Sequence, residues 1–381
     1  MTDLLTAPAR PGPGTRRAAD ALDAAPPDAD ARQVWQLLGA AGILHDLYEP
    51  TETGHLTARP DRLADLIGAV DARGDNGVTL SVLVQAAGAL PLLAAGAPAT
   101  GPVRQAVQRI RGGNHTLALA ATDAAATGSD LTGLATEVTI GPDTLLLTGT
   151  KRWITTAATA DWLLVLARHR PGRHFTSFTW VLVPATAPGV RIHPVETDLL
   201  TGAAAAHIDL DHVRLPADHL VGRPGRGMAA FARHIATERL AGALWAVALT
   251  GRVLADTRHR LTRTTTPATA PNWQHAAVRQ RYAACLVQVR QLHALCTSLG
   301  ERVTHHQDLT AAALLKSAAA AVTDPVLTAC AHLQGADGFA RGGAQHIRSE
   351  AAVLGIGGGT TELLLESVAD HADTILAELR P

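Results

Sequence analysis

The chain has 381 residues, 47% of them hydrophobic, which is enough material for two or three packed units with real cores. Its 33 Lys and Arg against 34 Asp and Glu give a formal net charge of -1, and the Arg and His read as scattered, so the basic field that nucleic acid needs is not expected. Cys285, Cys296 and Cys330 are too few and too widely spaced for a zinc knuckle or a disulfide framework; they read as small core residues of a reducing compartment, and no metal site is expected.

The first stretch, MTDLLTAPARPGPGTRRAADALDAAPPDAD, lacks a signal-peptide core, and its Pro/Ala bias predicts a disordered tail over residues 1–30 of a cytoplasmic protein. No apolar run of about 18 residues is read, so no membrane span is expected. From 31 to 115 the pattern is helical: ARQVWQLLGAAGIL and DRLADLIGAVDA place apolar residues at i, i+3 and i+4, and VTLSVLVQAAGALPLLAAGA is a more buried run broken near Pro91. From 116 to 222 short β-rich segments follow one another, among them DTLLLTGTKRWI, DWLLVLAR and FTWVLVPA, with Gly, Pro and Asp between them. Such spacing suits a small antiparallel barrel or sandwich. From 223 to 381 helices return, and Asp324-Pro325 reads as the cap and first turn of a separate helix.

Four stretches carry candidate chemistry. In LAATDAAATGSDLTG, Thr122, Asp123, Gly128, Ser129 and Asp130 follow a strand; the loop can bond a ring edge or a pyrophosphate, or be a plain β-turn. In GTKRWITTAATADW, Trp153 and Thr155 are two apart and would share one strand face, either as an apolar wall beside a hydroxyl or as ordinary core. In IATERLAGALWAVAL, Glu238-Arg239 interrupts an apolar helix. The pair is either solvated or places Glu238 inside, where burial raises a carboxylate's pKa and suits it to general-base work. Last, GIGGGTTELLLESVA over 355–369 runs Gly357, Gly358 and Gly359 into Thr360, Thr361 and Glu362. This is either a capped interhelical turn or a backbone open to close approach by a ligand at a helix start.

Taken in order, TDAAATGSDL, GTKRWITTAATADWLLVLAR, VRLPADHLVGRPGRGM, ATERLAGA, LQGADGF and IGGGTTELLLESV resemble the acyl-CoA dehydrogenase family over residues 31–375. The resemblance implies an α+β fold: an N-terminal helical domain, a central antiparallel β-barrel domain and a C-terminal four-helix bundle. It places FAD between the last two and across a subunit boundary, hence a homodimer or homotetramer. By the same resemblance Thr122 and Ser129 bond flavin and pyrophosphate, Trp153 packs on the isoalloxazine, and Thr155 reaches its N5 edge. Thr360 and Glu362 lie along the cofactor, Arg258 meets the pyrophosphate of the neighbouring subunit's FAD, and His332, Gly335 and Ala336 border the adenine.

In many members the catalytic base is a Glu directly before the Gly-Thr of the terminal loop. Here that position is Gly358, which leaves only a backbone N–H for the thioester oxygen. Glu238-Arg239 matches the isovaleryl-CoA and long-chain branch, whose base sits on the earlier helix, so Glu238 is expected to take the α-proton while the β-hydride goes to flavin N5. The implied substrate is an acyl-CoA or acyl carrier protein thioester, and the implied acceptor an electron-transfer flavoprotein or another partner. TDAAATGSD departs from the family's Thr-Glu-Pro pattern, and RHRLTRTTTPATAPNWQ lacks the usual Phe-Gly. TGAAAAHIDL lacks the familiar Arg and Ser; the three departures together point to a specialised biosynthetic substrate. A monooxygenase fed by a flavin reductase, or a non-catalytic flavin-binding relative, would share this fold.

Overall fold

The computed structural model describes residues 13–50, 56–123, 130–263 and 271–380. Ser129 and Gly128 lie outside the described residues. Helix α1 (Pro13–Asp23) buries Ala18 and Leu22 against α4 (Pro60–Asp71), so the expectation of a disordered tail over 1–30 fails from residue 13 onward. The apolar spacing of Ala18 and Leu22, one helical turn apart, outweighed the Pro/Ala composition around it. α2 (Ala31–Ala40) starts with a capping box, Asp30 Oδ1 accepting from Gln33 N at 2.8 Å and Asp30 N donating to Gln33 Oε1 at 2.9 Å. α3 (Ile43–Asp46) leads into a small hairpin of β1 (Tyr48–Pro50) and β2 (Leu56–Ala58), inside a region read as wholly helical. Strands of three residues carry too little periodicity to announce themselves.

α5 (Asn76–Val84) continues through one π-helical turn (Gln85–Ala89) into α6 (Leu90–Gly96), followed by α7 (Pro102–Arg111). Pro91 lies just beyond the widened turn. Leu90 N bonds back to Gln85 O, five residues earlier, and in that register residue 91 would serve Ala86 O, but Pro91 has no N–H. The Tyr48 hydroxyl serves it instead, at 2.6 Å. Within Asn76–Gly96 an 18-residue window has a mean hydropathy of 1.9, and within Leu309–Phe339 one of 1.2, so by length and composition both helices could cross a membrane, contrary to the reading that no such run exists. In the fold, 78% of the first window is buried inside the protein.

The central sheet contains β3 (Leu117–Ala120), β4 (Glu137–Ile140), β5 (Thr144–Ile154), β6 (Trp162–Arg168), β7 (Phe178–Pro184), β8 (Val190–Pro194), β9 (Ala206–Pro216) and β10 (Leu220–Val221). Its order is β10-β7-β6-β4-β5-β9-β8, with β3 paired to β6. It is not wholly antiparallel as expected: β3 runs parallel to β6, and β4 meets β6 in parallel through Glu137 and Arg168. Its own apolar layer is built on Leu145, Leu147, Val165, Val181 and Ile208.

The C-terminal part stacks α8 (Gly227–Thr262), α9 (Ala276–His306) and α10 (Leu309–Gln334), then α11 (Ala344–Ala351), the glycine loop, α12 (Thr361–Asp370) and α13 (Ala372–Glu378). Pro325 does not start a new helix. It lies inside α10, and Asp324 pairs with Arg348 at 2.8 Å instead of capping. An interior proline costs about 3 kcal/mol; burial of Ala319, Val326, Leu327 and Cys330 along the same helix offsets it.

A buried polar chain ties the three regions together. Asp71 on α4 accepts from Arg252 Nε at 2.8 Å and Nη2 at 3.0 Å and from Trp245 Nε1 at 3.1 Å. Arg252 also reaches Asn76 Oδ1 at 2.7 Å, Asn76 Nδ2 reaches Glu350 at 2.6 Å, and Glu350 accepts from the Leu200 N–H of the sheet domain at 2.9 Å. Arg252→Met leaves Asp71, 1% exposed, without its counter-charge. We expect a loss of roughly 3 kcal/mol in urea unfolding; an unchanged midpoint would show that the chain carries no net stability.

Candidate active site

Glu238 lies about a third of the way along α8, on the helix that packs against the π turn. The residue as a whole is half-buried, but its Oε2 is sealed from solvent with no hydrogen-bond partner among the described residues. A methyl group at Gly88 would sit 2.5 Å from that oxygen, so the π turn and its glycine form the notch the carboxylate occupies. The other face is the glycine loop. A methyl at Gly358 would lie 3.8 Å from Glu238 Oε1 and 3.8 Å from Lys316 Cε.

The electrostatics follow from this enclosure. Burial pushes the Glu238 carboxyl up from 4.5 to about 7, against the pull of Arg239 and Lys316, which favour its ionised form. Lys316, on α10 and 3% exposed, is pushed down from 10.5 to about 8 by burial and by Arg239, with Glu238 opposing. Each cation also holds the loop. Arg239 Nε donates to Gly358 O at 3.0 Å, and Lys316 Nζ donates to Leu354 O. Gly358 adopts φ +73, and among the described residues its N–H donates to no backbone carbonyl. The two clamps hold the loop by its carbonyls and leave that N–H available. Removing the Lys316 cation raises the Glu238 pKa further, so Lys316→Met is expected to move the acidic limb of the pH–kcat/KM profile to higher pH and lower activity at pH 7. A profile superimposable on the native one would contradict this.

The remaining predicted residues fall into two groups. Thr122 is exposed, and its carbonyl accepts from Arg152 N at 3.2 Å. Trp153 is 64% exposed with φ 55, but it does not share a strand face with Thr155. β5 ends at Ile154, its register to β9 shifts between Lys151 and Ile154, and Thr155 is in the following turn. That left-handed residue, within the shifted register, breaks the alternation on which the expectation rested. The turn is anchored to α5 by Thr156 and Ser81, 2.7 Å apart, four residues before the π turn begins. Thr360 holds the N-cap position of α12 without a side-chain cap bond, and Glu362 is exposed.

Arg258 lies 20 residues beyond Glu238 on α8, about 30 Å along its axis. Its guanidinium stacks on Trp273 at 3.6 Å, and its Nη1 is buried without a hydrogen-bond partner among the described residues. The α10 C-terminus is beside it: Gln334 Nε2 reaches Thr257 Oγ1 at 2.9 Å, so the exposed His332, Gly335 and Ala336 share this end of the bundle with Arg258. They do not join Glu238.

Sequence reasoning missed Gly88 and the two lysines. Lys151 and Lys316 are the only lysines in the chain, and both are buried, at 0% and 3% exposed. Lys151 is 3.7 Å from Asp123, itself held by the backbone N–H groups of Ala135 and Thr136 at 3.0 and 2.8 Å. In a chain that otherwise uses Arg, a lone Lys in an apolar helix was the available signal.

The sequence matches the family description Acyl-CoA dehydrogenase, middle domain, over residues 118–213 and Acyl-CoA dehydrogenase, C-terminal domain, over 225–372. It is 32% identical over 256 residues to the acyl-[acyl-carrier-protein] dehydrogenase MbtN of Mycobacterium sp. (strain MCS), a match spanning 64% of this chain and 62% of that protein. Its fold resembles a probable acyl CoA dehydrogenase from Mycobacterium abscessus, with TM-score 0.84, 22% identity and coverage of 94% of this chain and 97% of the other. It also resembles a glutaryl-CoA dehydrogenase from Mycobacterium smegmatis in complex with FADH2, with TM-score 0.83, 19% identity and coverage of 96% and 95%. Two consecutive family domains, matched across the sheet and the helices that carry Glu238 and the glycine loop, establish that this chain belongs to the acyl-CoA dehydrogenase family.

Proposed function

We propose that the protein is an FAD-dependent dehydrogenase introducing an α,β double bond into an acyl thioester, attached to CoA or to an acyl carrier protein, with Glu238 as the base. The observation that carries this reading is the sealed Oε2 of Glu238, without a hydrogen-bond partner among the described residues, on a carboxylate held between Gly88 and the Gly358 loop. A buried carboxylate with a pKa near 7 is poised to accept a proton at neutral pH. The Gly358 N–H, on a loop whose Gly358 and Leu354 carbonyls accept from Arg239 and Lys316, suits the thioester oxygen as it gains enolate charge.

The residues present fit FAD. Trp153 offers a largely bare indole face to a flat ring, and the Nη1 of Arg258, without a hydrogen-bond partner among the described residues, suits a pyrophosphate oxygen. Gly335, at φ +62 with open space around it, permits close backbone approach. Thr122, Thr155, Thr360 and Glu362 would line the flavin side, and His332 and Ala336 the adenine side. Bound FAD would supply the acceptor for the β-hydride. The distance of Arg258 from Glu238 suits a contact given to a neighbouring subunit, hence a homodimer or homotetramer. The cytoplasmic setting, the specialised substrate and an electron-transfer flavoprotein as acceptor belong to the same reading.

Anaerobic titration of the purified flavoprotein with a series of acyl thioesters, with no reductase or NAD(P)H present, tests it. Loss of the oxidised-flavin absorbance is expected. Oxygen consumption that appears only with added reductase would favour a hydroxylating relative instead, and a protein that cannot be reconstituted with FAD would support a non-catalytic one.

A further inference from the structure

Near-zero net charge conceals an uneven distribution. Residues 162–195 and 219–237 contain no Asp or Glu, and the fold joins their basic ends, contrary to the reading that Arg and His are scattered. The β6–β7 connection carries His169, Arg170, Arg173 and His174, and the β10–α8 turn carries Arg223 and Arg226. They are neighbours in space. A methyl at Gly225 would lie 2.8 Å from Thr176 O, and 3.7 Å from both Arg170 Nη2 and His169 Cε1, while one at Gly227 would lie 2.8 Å from the Phe178 backbone. Asp130 pairs with Arg173; Arg170, Arg223 and Arg226 form no ion pair among the described residues. Phe175, 48% exposed, lies among them. The N-terminus of the 36-residue α8 adds the positive end of its dipole to the same face.

We propose that this face docks an acidic carrier-protein domain that delivers the acyl chain as a phosphopantetheine thioester, a proposal that rests on the dehydrogenase reading above. The charges sit on the tips of a hairpin and a turn around an exposed phenylalanine, which suits a complementary protein surface more than a single enveloped phosphate. All its permanent cations are Arg, whose planar fork meets surface carboxylates bidentately. The docking face is also within reach of the chemistry: Gly227 and Glu238 are 11 residues apart on one helix, about 17 Å, a span that an extended phosphopantetheine arm can cover.

The test is the double variant Arg223→Glu/Arg226→Glu in the FAD-loaded protein, with Arg109→Glu, exposed on α7, as a control for charge reversal away from this face. Affinity for an unacylated bacterial holo acyl carrier protein is read by fluorescence anisotropy. KM is read separately for decanoyl carrier protein, decanoyl-CoA and decanoyl-pantetheine. The double variant is expected to weaken carrier-protein binding and raise that KM by about 10-fold or more, with a steep salt dependence in the native protein, and to leave decanoyl-pantetheine unaffected. An equal loss with decanoyl-CoA would show that the face reads phosphate and would overturn the proposal. Absence of native binding, or undiminished binding by the variant, overturns it too. Anisotropy does not need turnover, so failure of the dehydrogenase reading, seen as no thioester bleaching the native flavin, stays distinguishable.

Discussion

Glu238→Gln is expected to retain FAD and to slow anaerobic flavin reduction by an accepted acyl thioester by about 1,000-fold, the range for loss of a general base. Gln keeps the shape that fills the Gly88 notch but cannot take a proton. The native pH profile carries the same information. Because the folded pKa is about 7, kcat/KM should rise with pH through that value and level off above it, and the variant should lose this limb. Stability moves in the opposite sense. A carboxyl raised from 4.5 to about 7 by burial favours the folded state fully below 4.5, and that contribution is lost as pH rises through about 7. Glu238→Gln should therefore gain stability relative to the native protein as pH increases from 5 to 8. Native rates of flavin bleaching in the variant would remove Glu238 from the mechanism; a stability difference independent of pH would contradict its buried, shifted state.

The order of helical, β-rich and helical segments was legible because each type repeats its period over many residues, and the family motifs fixed the same order independently. What remained hidden was set by tertiary contacts. Pro325 passes through α10 because the apolar residues on both sides are buried as one stripe. Trp153 and Thr155 part company because a left-handed residue and a register shift end the strand's alternation, and no local sequence signal marks either. Glu238 could be named, but not its surroundings. Its partner surface comes from Gly88, 150 positions earlier, and Lys316, 78 later, and a carboxylate's fate depends on what faces it. The basic face is similar: neither Arg223-Pro-Gly-Arg226 nor the 169–174 stretch is remarkable alone, and only the packing of Gly225 and Gly227 on the β6–β7 connection makes them one surface.

Gly88→Ala should lower kcat by roughly 10- to 100-fold with a smaller effect on KM, because an added methyl would be 2.5 Å from Glu238 Oε2 and must displace it. Backbone and neighbours leave little alternative. The π turn is pinned by Tyr48 to Ala86 O, and Gln85 Oε1 accepts from Leu117 N on β3 at 3.0 Å. Leu119 Cδ2, 3.5 Å from the new methyl, restrains a sideways shift of the turn. The yielding group is therefore the carboxylate, the free end of a flexible side chain. Global stability should change little, since Ala in place of a helical Gly gains about 1 kcal/mol and overpacking costs 1 to 3 kcal/mol. The decisive measurement is the double-mutant cycle. If Gly88 acts only through the position of the Glu238 carboxylate, Gly88→Ala should cost almost nothing further in a Glu238→Gln background, where the base is already lost. Additive losses would mean that the methyl blocks the substrate itself, and native activity in Gly88→Ala alone would show that the notch does not hold the working carboxylate.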